Sequence, residues 1–211
     1  MRIQYLESID STQTYLKKLL QEKQVQAPYA VVAKTQTKGQ GSRNNSWIGL
    51  DGNLFLSFAL SLEELPEDLK LESASIYFAY ILKETLKEFG STVWLKWPND
   101  FYINSSKIGG MITNLAGTEL ICGVGINLVK NPDGFEKLDI NISIEKLLNL
   151  YFINIEKRSS WKQIFSKYKL EFHKSQNFST HKNGLQFSLD EAILNEDGSI
   201  IFNDERIYST R

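Results

Sequence analysis

The chain of 211 residues has one cysteine and two histidines, and these scarcities exclude several kinds of chemistry. Cys122 has no partner for an internal disulfide. It lies in the apolar run Leu120-Ile121-Cys122-Gly123-Val124, which predicts a small buried hydrophobe rather than a nucleophile. His173 and His181 form no ligand cluster with it, so no zinc site is indicated. Charge of one sign is also lacking. A formal net charge of −1 gives no global basic field to recruit nucleic acid. No apolar run approaches a membrane span, and MRIQYLESID lacks the cationic start and apolar stretch of a secretion signal. No membrane partner is expected, and the expected location is the cytoplasm. Repeats and low-complexity segments are absent. With 42% hydrophobic and 23% charged residues, the balance is that of a folded globular protein. The length suits one main domain and a small appendage.

The pattern along the chain predicts an α/β (α+β) fold, a sheet backed by helices. Ser11 to Gln24 fits a short helix, with Ser11 or Asp10 as its N-cap. Strands are expected at Tyr29–Thr35 and Leu54–Leu62. A long helical pattern opens at Pro66 and runs to Phe89, where Gly90 stops it. Thr92–Trp97, Asp100–Ile103, Lys107–Leu115 and Glu119–Leu128 read as successive strands. Helices return at Ile144–Phe152 and Trp161–Phe172, the second with an apolar stripe expected to be core. After Ser175 the texture changes to short strands broken by Asn195-Glu196-Asp197-Gly198, a hairpin turn. The expected boundaries are therefore a main domain over 1–175 and a short β domain over 176–211.

The most informative stretch is Lys96 to Met111, KWPNDFYINSSKIGGM. Proline fixes its own φ and pushes the preceding residue to extended geometry, so Asn99 and Asp100 are presented at a strand end. Lys107 and the pair Gly109-Gly110 follow, a cation beside backbone open to close approach. Such a set suits a phosphate, a metal ion and an acyl group together. WPND alone is equally an ordinary β-turn with an Asx hydrogen bond. A second cluster, Thr35 to Trp47 (TQTKGQGSRNNSW), follows an apolar strand. Its glycines, Lys38 and Arg43 can wrap an anion, or the segment is simply a surface turn. It is neither a dinucleotide fingerprint nor a G-x-x-x-x-G-K-[ST] loop.

In order along the chain stand Asp10-Ser11-Thr12-Gln13-Thr14, Thr35-Gln36, the glycine loop ending at Trp47, and Asn53-Leu54-Phe55-Leu56-Ser57. KWPND, KIGGM and Gly123-Val124-Gly125-Ile126-Asn127 complete the series. Together these resemble the biotin–protein ligases over about residues 1–130. The KWPND–KIGGM pair is the specific part; the S-T and G-x-G-I-N elements count only through their order. The resemblance implies a class II synthetase-like biotin/lipoate ligase catalytic domain, its mixed sheet backed by helices, with a C-terminal tail like an abbreviated small barrel. With the Ser-Thr motif at residue 11, it implies the single-function form, without the DNA-binding domain of bifunctional relatives. The implied reaction activates biotin with ATP to biotinyl-5'-AMP and transfers it to a lysine of a biotin carboxyl carrier protein, with Mg²⁺ assisting.

Residue by residue, the resemblance assigns Lys107 to the biotin carboxylate and α-phosphate. Arg43, with Lys38 in support, goes to the phosphates. Asp100 goes to Mg²⁺ or to the proton of the incoming lysine amine, with Asn99 beside it. Trp47 is implied to stack on adenine and Asn127 to read its edge, with Asn45 also on the adenylate. Ser11, Thr12 and Gln36 match the positions that bind the ureido ring, with Gly39, Gln40, Gly41, Gly109 and Gly110 adding contacts. Plainer roles compete: Trp47 and Trp97 as core aromatics, Lys96 as a surface ion-pair partner, Ser11 and Thr12 as helix caps, Asn127 as a turn closer. One departure stands out. Relatives carry an arginine-rich GRGRRGR loop, whereas this chain has Gly39-Gln40-Gly41-Ser42-Arg43-Asn44-Asn45. Serine at 42 supplies no charge, which predicts a leakier adenylate. The rival readings are a lipoate or octanoate ligase or transferase and a non-catalytic biotin sensor. An exposed sheet edge suits docking of the carrier or a weak homodimer of an otherwise monomeric chain.

Overall fold

Strand β2 (Tyr29–Gln36) is apolar without alternation because both of its faces are covered. Ala30 and Val32 face one hydrophobic cluster, Tyr29 and Val31 another. The computed structural model of the protein describes residues 1–41, 46–47, 49–182 and 185–209. Around β2 stand β1 (Arg2–Ile9), β5 (Leu54–Ser61), β6 (Trp94–Lys96), β7 (Asp100–Ile103), β8 (Ser106–Ala116) and β9 (Glu119–Ile126), while β3 (Gly39–Gln40) and β4 (Ser46–Trp47) form a separate short ribbon. The main sheet is seven-stranded and mixed, in the order β1-β2-β5-β9-β8-β7-β6. Only β1 and β2 run parallel.

Helix α1 (Thr12–Gln21) lies alone on one face of this sheet, Leu16 and Leu19 packing on Tyr29, Val31, Ala59 and Ile121. Ser11 caps it by accepting a hydrogen bond from the Thr14 amide at 3.4 Å, so Ser11 rather than Asp10 is the N-cap. The other face is covered by α2 (Ala74–Glu88), α3 (Ile144–Glu156) and α4 (Trp161–Ser175). Helix α2 is buried nearly all round because it is wedged between the sheet and the other two helices. Its stripe includes Lys83, 2% exposed, neutralised by Glu84 at 2.8 Å and Glu171 at 3.0 Å.

Two points differ from the sequence reading, in α2 and in β1, and the expected C-terminal β tail is present. The helix anticipated from Pro66 begins only at Ala74, after a 3₁₀ turn at Leu71–Ser73. The strand β1 carried no sequence signal, because as an edge strand it keeps half its residues in solvent. The tail pairs as two small sheets, β10 (Ser179–Lys182) with β11 (Leu185–Ser188), and β12 (Ile193–Leu194), β13 (Ile200–Phe202) and β14 (Glu205–Ile207). Its Leu189, Ala192, Ile200 and Ile207 join the large cluster that includes α2 and the main sheet. Among the described residues, no helix is long and apolar enough to cross a membrane.

Candidate active site

On the α1 side of the sheet, most side chains beyond the helix are small. Ala59 and Ile121 pack under the helix; further along the same strands that face carries Ser57 and Phe55 on β5 and Gly123 and Gly125 on β9. On β8, Gly110 lies opposite Gly125 and Ile112 opposite Gly123. Side chains alternate between faces along a strand, so this small-residue patch forms the floor of a cleft open to solvent. Its walls are the start of α1, the β2 end with the β3–β4 ribbon, and the Asn99–Lys107 hairpin.

One irregularity aims the cation. Asp100 pairs with Gly110 and Phe101 with Gly109, but Tyr102 pairs with Lys107, leaving Ile108 as an extra residue. The bulge turns Ile108 into the core and brings Lys107 to the face that carries Asp100 and Gly110. Lys107 Nζ lies 2.7 Å from Asp100 Oδ1, and both side chains are largely but not fully covered. A Cβ at Gly110 would sit 3.1 Å from that carboxylate oxygen.

Opposite this pair lies a polar floor. Gln36 Oε1 accepts from the Thr12 amide at 2.7 Å and the Thr12 hydroxyl at 3.1 Å. Thr12 Oγ1 is 2.9 Å from Ser57 Oγ, which donates to Gln13 Oε1 at 3.1 Å. Thus Ser11 and Thr12 both begin the helix and line the cleft; the two roles are one position.

The structure gathers Ser11, Thr12, Gln36, Gln40, Gly41, Trp47, Asn99, Asp100, Lys107 and Gly110 around the cleft. Asn99 is committed to structure as well, donating its amide to Met111 O at 2.6 Å. Trp47 lies against Gly125, its indole filling the space a Cβ there would take, and its buried Nε1 has no partner among the described residues. Asn127 lies outside the main lining, in an adjoining recess with Trp47, Pro132 and Phe135, and donates to Glu136 O at 3.1 Å. Gly39 and Gly109 are not in the lining. A Cβ on Gly109 would meet Gly125 O at 2.4 Å, so this glycine serves the close packing of β8 on β9, not an opening toward a ligand. Lys38 pairs with Asp10 at 3.1 Å; hydrogen bonds from Thr37 and Lys38 hold the Asp10 carboxyl below its ordinary range. Lys96 is buried beside the Tyr102 and Phe178 rings, and Trp97 is core, its Nε1 donating to Gly198 O at 2.8 Å. Ser42, Arg43 and Asn45 lie outside the described residues. Gln13, Ser57 and Gly123 were not anticipated. For Ser57 and Gly123 the signal, small or polar residues alternating toward one face, is visible only once strand register is known; Gln13 comes into view only once α1 is placed on the sheet.

As to metal, no cluster of three or more His, Cys, Asp or Glu side chains occurs among the described residues. Asp100 is the one carboxylate in the described lining. That fits an ion carried in by a polyphosphate, which needs only one or two protein carboxylates, and not a resident metal centre.

Residues 5–131 match the model of the biotin/lipoate A/B protein ligase family. The chain belongs to that family. Among members of the biotin/lipoate ligase family, the crystal structure of biotin acetyl coenzyme A carboxylase synthetase from Helicobacter pylori with bound biotinylated ATP is 39% identical. It superposes with a TM-score of 0.94 over 98% of this chain and 99% of that one. The bifunctional ligase/repressor BirA of Escherichia coli is 32% identical over 127 residues, 57% of this chain but 38% of that protein. The match therefore spans well under half of that curated relative. The biotin protein ligase from Aquifex aeolicus in complex with biotin and ATP, 23% identical with a TM-score of 0.77, shares the fold.

Proposed function

We propose that this protein is a biotin–protein ligase that makes biotinyl-5'-AMP from biotin and ATP and transfers biotin to a lysine of a biotin carboxyl carrier protein. The observation that carries the reading is the Lys107–Asp100 pair, 2.7 Å apart, facing a polar floor of Thr12 and Gln36 across one cleft. Similarity to the Helicobacter pylori synthetase, which holds biotinylated ATP, supports it.

A free carboxylate does not acylate an amine at neutral pH. In the first step a biotin carboxylate oxygen bonds to the α-phosphorus of ATP as the bond to pyrophosphate breaks. Negative charge grows at that phosphate, and a cation fixed there beforehand lowers the barrier. Lys107 is that cation, and Asp100 orients it. In the second step the acceptor lysine's amine attacks the acyl carbon, AMP leaves and the amine gives up a proton, for which Asp100 is the nearby base. Ser11, Thr12 and Gln36 would hold the ureido ring, with Gln40, Gly41 and Gly110 beside it. Trp47 and Asn127 would meet the adenine, with Arg43 and Asn45 on the nucleotide. Mg²⁺, bound with ATP, would neutralise phosphate charge, and Asp100 is the residue to hold it. The cytoplasm is the proposed location. A monomer or weak homodimer completes the proposal.

The test is incubation with ATP, Mg²⁺, a carrier domain and either radiolabelled biotin or lipoate. Label from biotin on the carrier, lost when its acceptor lysine is replaced, is the expected result. Label from lipoate alone would move the protein to the sister activity; tight biotin binding with no label would mark a sensor.

A further inference from the structure

Asn53 heads the Asn53-Leu54-Phe55-Leu56-Ser57 element, is 1% exposed, and lines neither the cleft nor the recess beside it. Leu54 pairs with Ile126, so Asn53 falls opposite Asn127, where the chain leaves β9. From there to α3 the chain has no helix or strand, and its amides must find partners elsewhere. Asn53 Oδ1 accepts from the main-chain N–H of Leu128 at 3.0 Å and from those of Val129 and Lys130 at 3.1 Å each. Main-chain N–H groups only donate, so three contacts fix the orientation of this amide. Its Nδ2 donates to Lys130 O at 2.7 Å. Among the described residues, Asn53 is the one partner of these three amides. Asn127 is held without it: its N–H donates to Ile108 O at 2.8 Å and its side chain to Glu136 O at 3.1 Å. The turn at 128–130 is what depends on Asn53.

That turn leads straight into the site. Pro132 and Phe135 follow it and wall the recess beside Trp47, the Phe135 ring edge-on to the indole at 6.0 Å. One residue on, Glu136 N–H donates to Lys107 O at 3.0 Å. The carbonyls of Lys107 and of the extra residue Ile108 are thus both tied to the segment 127–136. We propose that Asn53 is a positioning residue for the nucleotide: by fixing the turn at 128–130 it sets the segment that walls the recess and clasps the main chain of Lys107. The inference rests on the biotin-ligase reading and adds to it a residue that touches neither ligand. A nucleotide with its base in the recess and its α-phosphate at Lys107 meets this segment at both ends. The biotin ring would meet Thr12 and Gln36, which belong to α1 and the end of β2, outside this network. Without Asn53, three main-chain donors lose their acceptor and the turn relaxes toward solvent. The loss should therefore fall on one ligand and spare the other.

The experiment measures dissociation constants by calorimetry for the full chain with biotin and, biotin being present, with the α,β-methylene analogue of ATP. The variants are Asn53→Ala and Asn53→Ser, whose side chains are too short to reach the three amides. Asn154→Ala is the control, a buried amide on α3 that donates to Thr85 and Glu88 across the sheet from the cleft. Each Asn53 variant should bind the analogue about tenfold or more weakly and biotin within about twofold of the parent; the control should shift neither. Thermal melts establish that each variant is folded, and either Asn53 variant suffices. An unmoved analogue affinity, an equal loss for biotin, or the same loss in Asn154→Ala would overturn the proposal. A parent that fails to bind either ligand would overturn the ligase reading and the inference together; a parent that binds both, with the Asn53 variants unmoved, overturns the inference alone.

Discussion

Lys107 reaches Asp100 because a single extra residue in β8 changes which face it occupies, and several other side chains carry comparable weight. Asp139 is one. Burial works to raise its carboxyl, but hydrogen bonds from Ser91, from the Thr92 hydroxyl at 2.7 Å and from the Thr92 amide at 2.8 Å together hold it below its ordinary range. Its folded pKa is depressed, so its stabilisation is present above the unfolded value of about 4 and lost as pH falls through the folded one. Asp139→Ala should cost about 1 kcal/mol at pH 7, modest because the group is exposed, and the gap to the parent should shrink below about pH 4. Denaturant titrations at pH 7 and pH 3 check both. Ser42, where relatives carry arginine, makes a kinetic prediction from sequence alone. The adenylate should leave faster than from arginine-rich relatives, and Ser42→Arg should slow its release about tenfold, read by single-turnover chase. An unchanged off-rate would remove the significance of that departure.

Among elements, the β6–β7 turn is the one the tail controls. Trp97 is held on both sides, its amide donating to Ser175 Oγ at 3.0 Å and its indole to Gly198 O. Two residues later the chain turns into Asn99 and Asp100. Trp97→Phe should leave the buried Gly198 carbonyl unpaired and cost about 2 kcal/mol, seen as a lower midpoint in urea. An unchanged midpoint would mean the tail merely rests there. Much of this layer was legible in the sequence. KWPND, the glycine loop and the strands Tyr29–Gln36 and Leu54–Ser61 announce themselves through turn residues and apolar runs. The role of Gly109 was not, because a glycine needed for strand packing and one needed for a ligand look alike until the opposing strand is known. Gln13 and Ser57 stayed hidden because they are 44 residues apart and meet only where α1 packs on β5.

For the whole molecule, the question is whether 176–211 is a domain or a cover. We favour a cover. Trp161 Nε1 donates to Glu196 O at 2.8 Å, Ser73 donates to Asp197 O, and Ile200 shares the main core. Deleting the tail should expose Trp97 and Trp161 and replace a cooperative thermal melt with a broad one that binds hydrophobic dyes. A sharp, unshifted melt would establish a separate unit. The scale that matters most is the cleft as a working site. The most direct test of adenylation is Mg²⁺-dependent ATP–pyrophosphate exchange by the purified chain with biotin, lipoate or no acid, repeated with Lys107→Ala. Exchange is expected with biotin only, reduced at least about 100-fold in the variant. Exchange that is indifferent to Lys107, or absent with biotin, would contradict it.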